Sequence, residues 1–163
     1  MPIRLLVADD DVNVLRCYQK AFASPQASSG EATLASLSNE LFGVEGERPQ
    51  QPVFDIVACS QGDEAVERVI EAAERRLPFD AVILDIRMPP GINGLEAGRS
   101  IRKLDPHVPI VFVSGYADVS KDELMQSVLP ASRLHYFRKP LSFSGLAHDV
   151  AEIVYAARTA GIS

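Results

Sequence analysis

The stretch AVILDIRMPP, residues 81–90, runs four apolar residues into an aspartate and then, past Ile86, Arg87 and Met88, into two prolines. Ala81–Leu84 shows no apolar/polar alternation, so it reads as a strand buried on both faces, which is the habit of parallel sheets. The same pattern recurs to either side. Ile3–Ala8 and Phe54–Cys59 lie upstream, and Ile110–Val113 and Leu134–Phe137 lie downstream. Each run is followed by apolar residues at helical spacing. They are Val14, Tyr18, Ala21 and Phe22; then Ala65, Val66, Val69, Ile70 and Ala73; then Leu95, Ile101 and Leu104. The fourth set is Leu124, Met125 and Val128, and the last is Leu146, Val150, Ile153, Val154 and Ala157, in a helix ending near Thr159. Five β-α units in series predict a doubly wound α/β fold, a five-stranded parallel sheet with helices on both faces.

One segment breaks the rhythm. Between the first helix and the second strand lie about 30 residues, 23–52, where roughly 2–6 are usual. Leu34, Leu37 and Leu41 are spaced three and four apart, so this inserted segment is expected to be partly helical. Its Glu/Gln/Pro/Gly-rich tail reads as solvated loop.

Composition narrows the function classes. The 163 residues are 47% hydrophobic and 23% charged, enough apolar content for a core and too much for a disordered chain. No uncharged apolar run approaches the roughly 20 residues of a membrane span. The apolar start stops at three aspartates, which is not a signal-peptide pattern. Acidic residues outnumber basic ones 22 to 16, for a net charge of −6, which argues against a surface that coats nucleic acid. Cys17 and Cys59 sit in apolar-patterned segments and are expected to be small core residues, in keeping with a reduced, cytoplasmic protein.

Ligands of open parallel sheets bind beyond the carboxyl ends of the strands. After the first apolar run come Asp9, Asp10 and Asp11, and Asp11 is placed to cap the next helix. Asp85 follows the third, Ser114 and Gly115 the fourth, and Arg138, Lys139 and Pro140 the fifth. The second run contributes only Ser60, Gln61 and Gly62. Gathered carboxylates repel and call for a cation. All-oxygen ligation with few protein ligands suits Mg2+, which Mn2+ can replace, and the absence of His from these positions counts against zinc or iron. One carboxylate then serves as a nucleophile toward a phosphoryl group, with Ser114 and Lys139 neutralising its oxygens.

The segments LLVADDD (5–11), AVILDIRMPP (81–90), NGLEAGRSIR (93–102), IVFVSGYAD (110–118) and YFRKP (136–140) together resemble the receiver domain of bacterial two-component response regulators. The resemblance covers nearly the whole chain apart from the insert. It implies a single flavodoxin-like domain over 1–160, with strand order 2-1-3-4-5 and an insertion at about 23–52. It further implies that Asp85 accepts phosphate from a sensor histidine kinase or a histidine phosphotransfer protein. Asp10 would ligate Mg2+ directly and Asp9 largely through water, with Asp85 and the backbone carbonyl of Arg87 completing the set. Ser114 matches the family's switch hydroxyl, Tyr136 its switch aromatic and Lys139 its lysine, usually joined by a cis peptide to proline, here Pro140. The switched face, around helix 4, strand 5 and helix 5, would signal to a partner or an attached output domain. A weak homodimer through the last helices is ordinary for the family.

Two stretches depart from the pattern. The loop after Asp85, which includes Met88, is one residue longer than usual before the helix-opening Gly94. SVLPASRLHY (127–136) carries a proline break before the fifth strand. Gly115 is small, as access to Asp85 requires, while Arg87 and Tyr116 flank the path of an attacking water, so self-dephosphorylation is expected to be slow. A haloacid-dehalogenase-like phosphatase would place a second acid two residues beyond its nucleophile, where this chain has Arg87. A nucleotide-binding flavodoxin would show a glycine-rich phosphate loop after the first strand, and none is present. The remaining alternative is a phosphorylation-independent receiver-like interaction module, which has no need to keep Asp9, Asp10, Asp85, Ser114 and Lys139 together.

Overall fold

A computed structural model describes residues 1–23, 51–115 and 119–161. Its five strands are β1 (Ile3–Ala8), β2 (Phe54–Cys59), β3 (Ala81–Asp85), β4 (Ile110–Ser114) and β5 (Leu134–Arg138). They form one parallel sheet in the order β2-β1-β3-β4-β5. The helices among the described residues are α1 (Val12–Ala21), α2 (Gly62–Glu74), α3 (Gly94–Leu104), α4 (Lys121–Ser127) and α5 (Phe143–Ala160), with a 3-10 turn at Ala131–Arg133. The expected fold class and strand order are therefore observed.

Alternation along the strands divides the core into two layers. Ile3, Leu5, Val7, Ile83, Val111 and Val113 face α1 and α5, where they meet Tyr18, Phe22, Leu146, Val150 and Val154. Leu6, Ala8, Leu84, Ile110 and Phe112 face the opposite layer, with Ala65 and Val69 of α2, Ile101 of α3 and Leu124 of α4. Tyr18, Phe22, Phe54 and Phe143 form a chain of tilted and edge-on ring contacts that ties α1 to β2 and α5. On the other side α3 lies close against the sheet because residue 98 is glycine. A Cβ there would stand 2.6 Å from the Phe112 ring.

The helix starts follow from local chemistry. Asp11 caps α1 by accepting from the Asn13 amide, as expected. Asn93 and Glu96 form a reciprocal capping box on α3, and Ser120 and Ser142 cap α4 and α5. Some helical faces are narrower than the sequence pattern predicts. Ile70, Ala73 and Leu104 are exposed, and Ala72 is buried instead. The reason is rotational: Ala65, Val69 and Ala72 already fill the stripe of α2 that reaches the sheet, and α3 ends at Leu104 as the chain turns away. Cys59 is buried, and burial pushes its thiol up to about 12, but Cys17 is exposed on the outer side of α1, correcting its assignment to the core.

Arg102 escaped the sequence reading altogether. It is 8% exposed, and its guanidinium donates to the carbonyl oxygens of Val108 (2.7 Å), Pro106 (3.1 Å), Asp105 (3.4 Å) and Arg133 (3.1 Å). A fork of fixed N–H groups thus satisfies carbonyls that leave the end of α3 and the start of β5 without ladder partners. The proline break upstream of β5 carries a cis Leu129–Pro130 bond, and Val128 turns inward beside it.

Residues 24–50 of the insert, with Leu34, Leu37 and Leu41, lie outside the described residues, as does Tyr116. No helix among the described residues is long and apolar enough to cross a membrane.

Candidate functional site

Parallel strands all deliver their last residues to one edge of the sheet, and the site is built there. Asp85, Ser114 and Arg138 are the final residues of β3, β4 and β5, so they are held by ladder pairing rather than by loops. Asp9 follows β1 directly, and its amide donates to the Cys59 carbonyl oxygen of β2. Lys139 is fixed in the same way, its amide donating to the Ser114 carbonyl oxygen at 2.9 Å, and its bond to Pro140 is cis.

The acids and the lysine converge as the sequence pattern predicts. One carboxylate oxygen from each of Asp9, Asp10 and Asp85 lies within 4.8 Å of the others. Lys139 Nζ stands 3.0 Å from Asp9 Oδ2 and 3.5 Å from Asp85 Oδ2. Asp9 is 1% exposed and uses its other oxygen to accept from the Asp11 amide at 2.9 Å. Asp85 is 9% exposed and faces the Arg87 amide at 3.4 Å, while Asp10 lies open to solvent. Ser114 is buried beside them, and Tyr136, half-buried on β5, packs on the α2–α4 layer opposite Phe112.

The electrostatics are those of a crowded anion. Burial raises the Asp85 carboxyl to about 6, and the charges of Asp9 and Asp10 push the same way. Lys139 and the Arg87 amide pull it back only in part. Burial works against the Lys139 ammonium, yet the Asp9 hydrogen bond and the charges of Asp85 and Asp9 leave its pKa above the ordinary value. Three carboxylates facing one ammonium leave two formal negative charges over. This all-oxygen donor set at the edge of solvent fits Mg2+, which accepts a few carboxylates and keeps several waters.

The loop from Ile86 to Asn93 closes the site on one side. Met88 is buried and anchors it from within, while Arg87, Pro89, Pro90 and Gly91 are exposed. The Gly94 amide donates to the Ile86 carbonyl oxygen, and a Cβ on Gly94 would sit 2.0 Å from the Asp85 carbonyl oxygen, so α3 can start only with glycine. Gly115 is not constrained in that way. A Cβ there would make ordinary contacts, 3.7 Å and beyond, with the Lys139 side chain. The residues whose part the sequence reading missed are Gln61 and Asp63, which bond to this loop from the start of α2.

A sequence profile of the response regulator receiver domain matches residues 46–151, well over half of the chain. The chain belongs to that family. The matched region begins inside the insert, near its end, and so leaves out β1 and the acids that follow it, although β1 occupies an interior position of the sheet. Among curated relatives, the transcriptional regulatory protein ZraR of Escherichia coli is 29% identical over 93 residues. The hybrid signal transduction histidine kinase I of Dictyostelium discoideum is 29% identical over 94. Those alignments cover 57% and 55% of this chain but only 19% and 5% of the two relatives. Among solved structures, a response regulator receiver protein from Sinorhizobium medicae shares the fold with a TM-score of 0.65 at 22% identity, over 96% of this receiver and 97% of that chain. The Thermotoga maritima response regulator TrrA, solved in complex with Mg2+ and BeF, gives 0.60 at 24% identity, over 93% of this receiver and 98% of that chain. Receiver domains of this family act as signalling phosphoacceptors in two-component systems.

Proposed function

We propose that this receiver takes up a phosphoryl group on Asp85, from a sensor histidine kinase or a histidine phosphotransfer protein, in a reaction that requires a divalent cation. The observation that carries the reading is the convergence of Asp9, Asp10 and Asp85 with Lys139 at one sheet edge. Asp9, Asp10, Asp85 and the backbone carbonyl of Arg87 would hold Mg2+, or Mn2+ in its place. The cation would supply positive charge against the carboxylates and against the phosphoryl oxygens.

An oxygen of Asp85 attacks phosphorus, forming an acyl phosphate O–P bond. The P–N bond of the donor phosphohistidine breaks, and its electron pair stays on the imidazole. Lys139, held by Asp9, offers its ammonium to the arriving phosphoryl oxygens, and the Ser114 hydroxyl offers a hydrogen bond. The lack of a side chain at Gly115 would leave the donor a path to Asp85. Phosphorylation adds charge beside Ser114, and the half-buried Tyr136 on β5 is the element it biases, changing the surface of α4, β5 and α5. A downstream partner or an output domain in a longer chain would read that surface. The ZraR and hybrid-kinase relatives are several times its length.

The test is intact mass after incubation with acetyl phosphate, with Mg2+ and with EDTA. A single phosphoryl adduct that depends on Mg2+ is the expected result. No adduct, together with no Mg2+ binding by the folded protein, would overturn the reading in favour of a phosphorylation-independent interaction module.

The lifetime of that adduct carries a second expectation. Arg87 is exposed at the mouth of the site, and Arg87 and Tyr116 flank the approach of water in the receiver pattern. The Arg87→Ala, Tyr116→Ala double variant should lose phosphate several-fold faster than wild type in a timed mass assay. An unchanged half-life would remove the shielding role.

A further inference from the structure

Gln61 occupies the N-cap of α2, where a side chain normally turns back to its own helix. It makes no such bond. Its amide instead reaches across to the loop that follows Asp85. Nε2 donates to the Pro89 carbonyl oxygen at 3.1 Å, and Oε1 accepts from the Gly91 amide at 3.2 Å. One residue on, Gly62 lets the loop in. A Cβ there would lie 2.6 Å from the Ile92 carbonyl oxygen. Asp63 then accepts from the Ile92 amide at 3.4 Å. Three successive residues at the start of α2 thus hold the backbone of 89–92, while Glu64 accepts from the Ser60 amide just upstream of the helix.

The gripped segment belongs to a loop with an extra residue, and it follows directly on Arg87 and the buried Met88. A longer loop has more backbone freedom to lose when one of its carbonyl groups must stand in a fixed place. We infer that Gln61 is a positioning residue for the cation and phosphorylation site: by bracketing Pro89 and Gly91 it holds the loop so that the Arg87 carbonyl is already in place. This rests on the reading of Asp85, Asp10 and Arg87 given above.

The experiment is Mg2+ titration by calorimetry of wild type, Gln61→Ala, Gln61→Met and Asp10→Asn. Melting temperatures in EDTA and amide exchange at Gly91 and Ile92 are measured alongside. Gln61→Met keeps the length of the side chain without its hydrogen bonds and so separates packing from bonding. Both Gln61 variants should bind Mg2+ about fivefold more weakly, equivalent to about 1 kcal/mol. Their Gly91 and Ile92 amides should exchange faster, while the melting temperature in EDTA stays near that of wild type. Faster exchange with unchanged Mg2+ affinity would overturn the inference and leave Gln61 a plain structural tie. So would a fall in affinity matched by a general loss of stability in EDTA. A wild type that binds no Mg2+, indistinguishable from Asp10→Asn, would defeat the underlying site reading instead.

Discussion

Asp85→Asn is expected to take up no phosphoryl group from acetyl phosphate, and also to be more stable than wild type when the cation is absent. The two results have one cause. Asp85 is buried to 9% exposure and sits among like charges, which together raise its carboxyl from 3.8 to about 6. The folded protein therefore retains a proton there that the unfolded chain releases. Between about pH 4 and pH 6 this favours the folded state less and less, and above pH 6 the full cost of the buried charge is present. The shift is equivalent to about 3 kcal/mol at most. An asparagine of the same shape carries no charge and keeps an oxygen toward Lys139, so it removes that cost. In EDTA, denaturant unfolding at pH 8 should show the variant ahead by about 1–3 kcal/mol, and the two proteins should converge near pH 4. Saturating Mg2+ should close much of the gap by stabilising wild type through binding. A variant that is less stable than wild type at pH 8 would show that Asp85 is not held at an electrostatic cost.

Lys139→Met is expected to act in the opposite sense on stability, and to divide binding from transfer. The ammonium is the cation shared by two acids, at 3.0 Å from Asp9 and 3.5 Å from Asp85. Removing one member of a buried ionic group leaves the others uncompensated, at a cost of about 3–5 kcal/mol for fully buried pairs. Lys139 is partly exposed, so about 2–3 kcal/mol is the fitting expectation here. The loss should be largest at pH 8. Without the lysine the Asp85 carboxyl rises further, so the penalty grows with pH over a wider range and fades toward pH 4 as the acid protonates. Mg2+ no longer competes with a fixed positive charge, so the variant should bind it more tightly by calorimetry. Phosphoryl uptake should nonetheless slow by about a hundredfold, because the donor's oxygens lose a preorganised charge. Tighter cation binding with slower transfer is a pair of outcomes that general unfolding cannot produce. Equal loss of both would assign Lys139 to structure alone.

The strands were legible because burial on both faces leaves an unbroken apolar run, and all five start where the sequence pattern puts them. Three of them extend one residue further than the apolar run, since Asp85, Ser114 and Arg138 complete the ladders of β3, β4 and β5. That one residue matters for function. It turns the strand-end side chains from loop residues into parts of the sheet, with the rigidity this confers. Helical faces were read less well, because periodicity marks every apolar residue on a stripe while the sheet covers only part of it. Ile70, Leu104 and Cys17 fall outside the covered part.

The sequence by itself determined the order of elements, the parallel sheet, and the list of acids, hydroxyl and lysine at its carboxyl edge. It could do so because each of those is written in a short stretch: an apolar run, a helical stripe, the residue that follows. Tertiary structure alone decided which of these groups meet and what else meets them. Lys139 and Asp9 are 130 residues apart in sequence, and Gln61 and Pro89 are 28 apart. Nothing local marks Gln61 as the clasp of the Asp85 loop, or Arg102 as the donor that closes the turns beside α3 and β5. The burial and the neighbouring charges that raise Asp85 are likewise properties of the assembled edge. A hydrogen bond or a Coulomb interaction depends on distance through space, and only folding brings these residues within a few ångströms of each other.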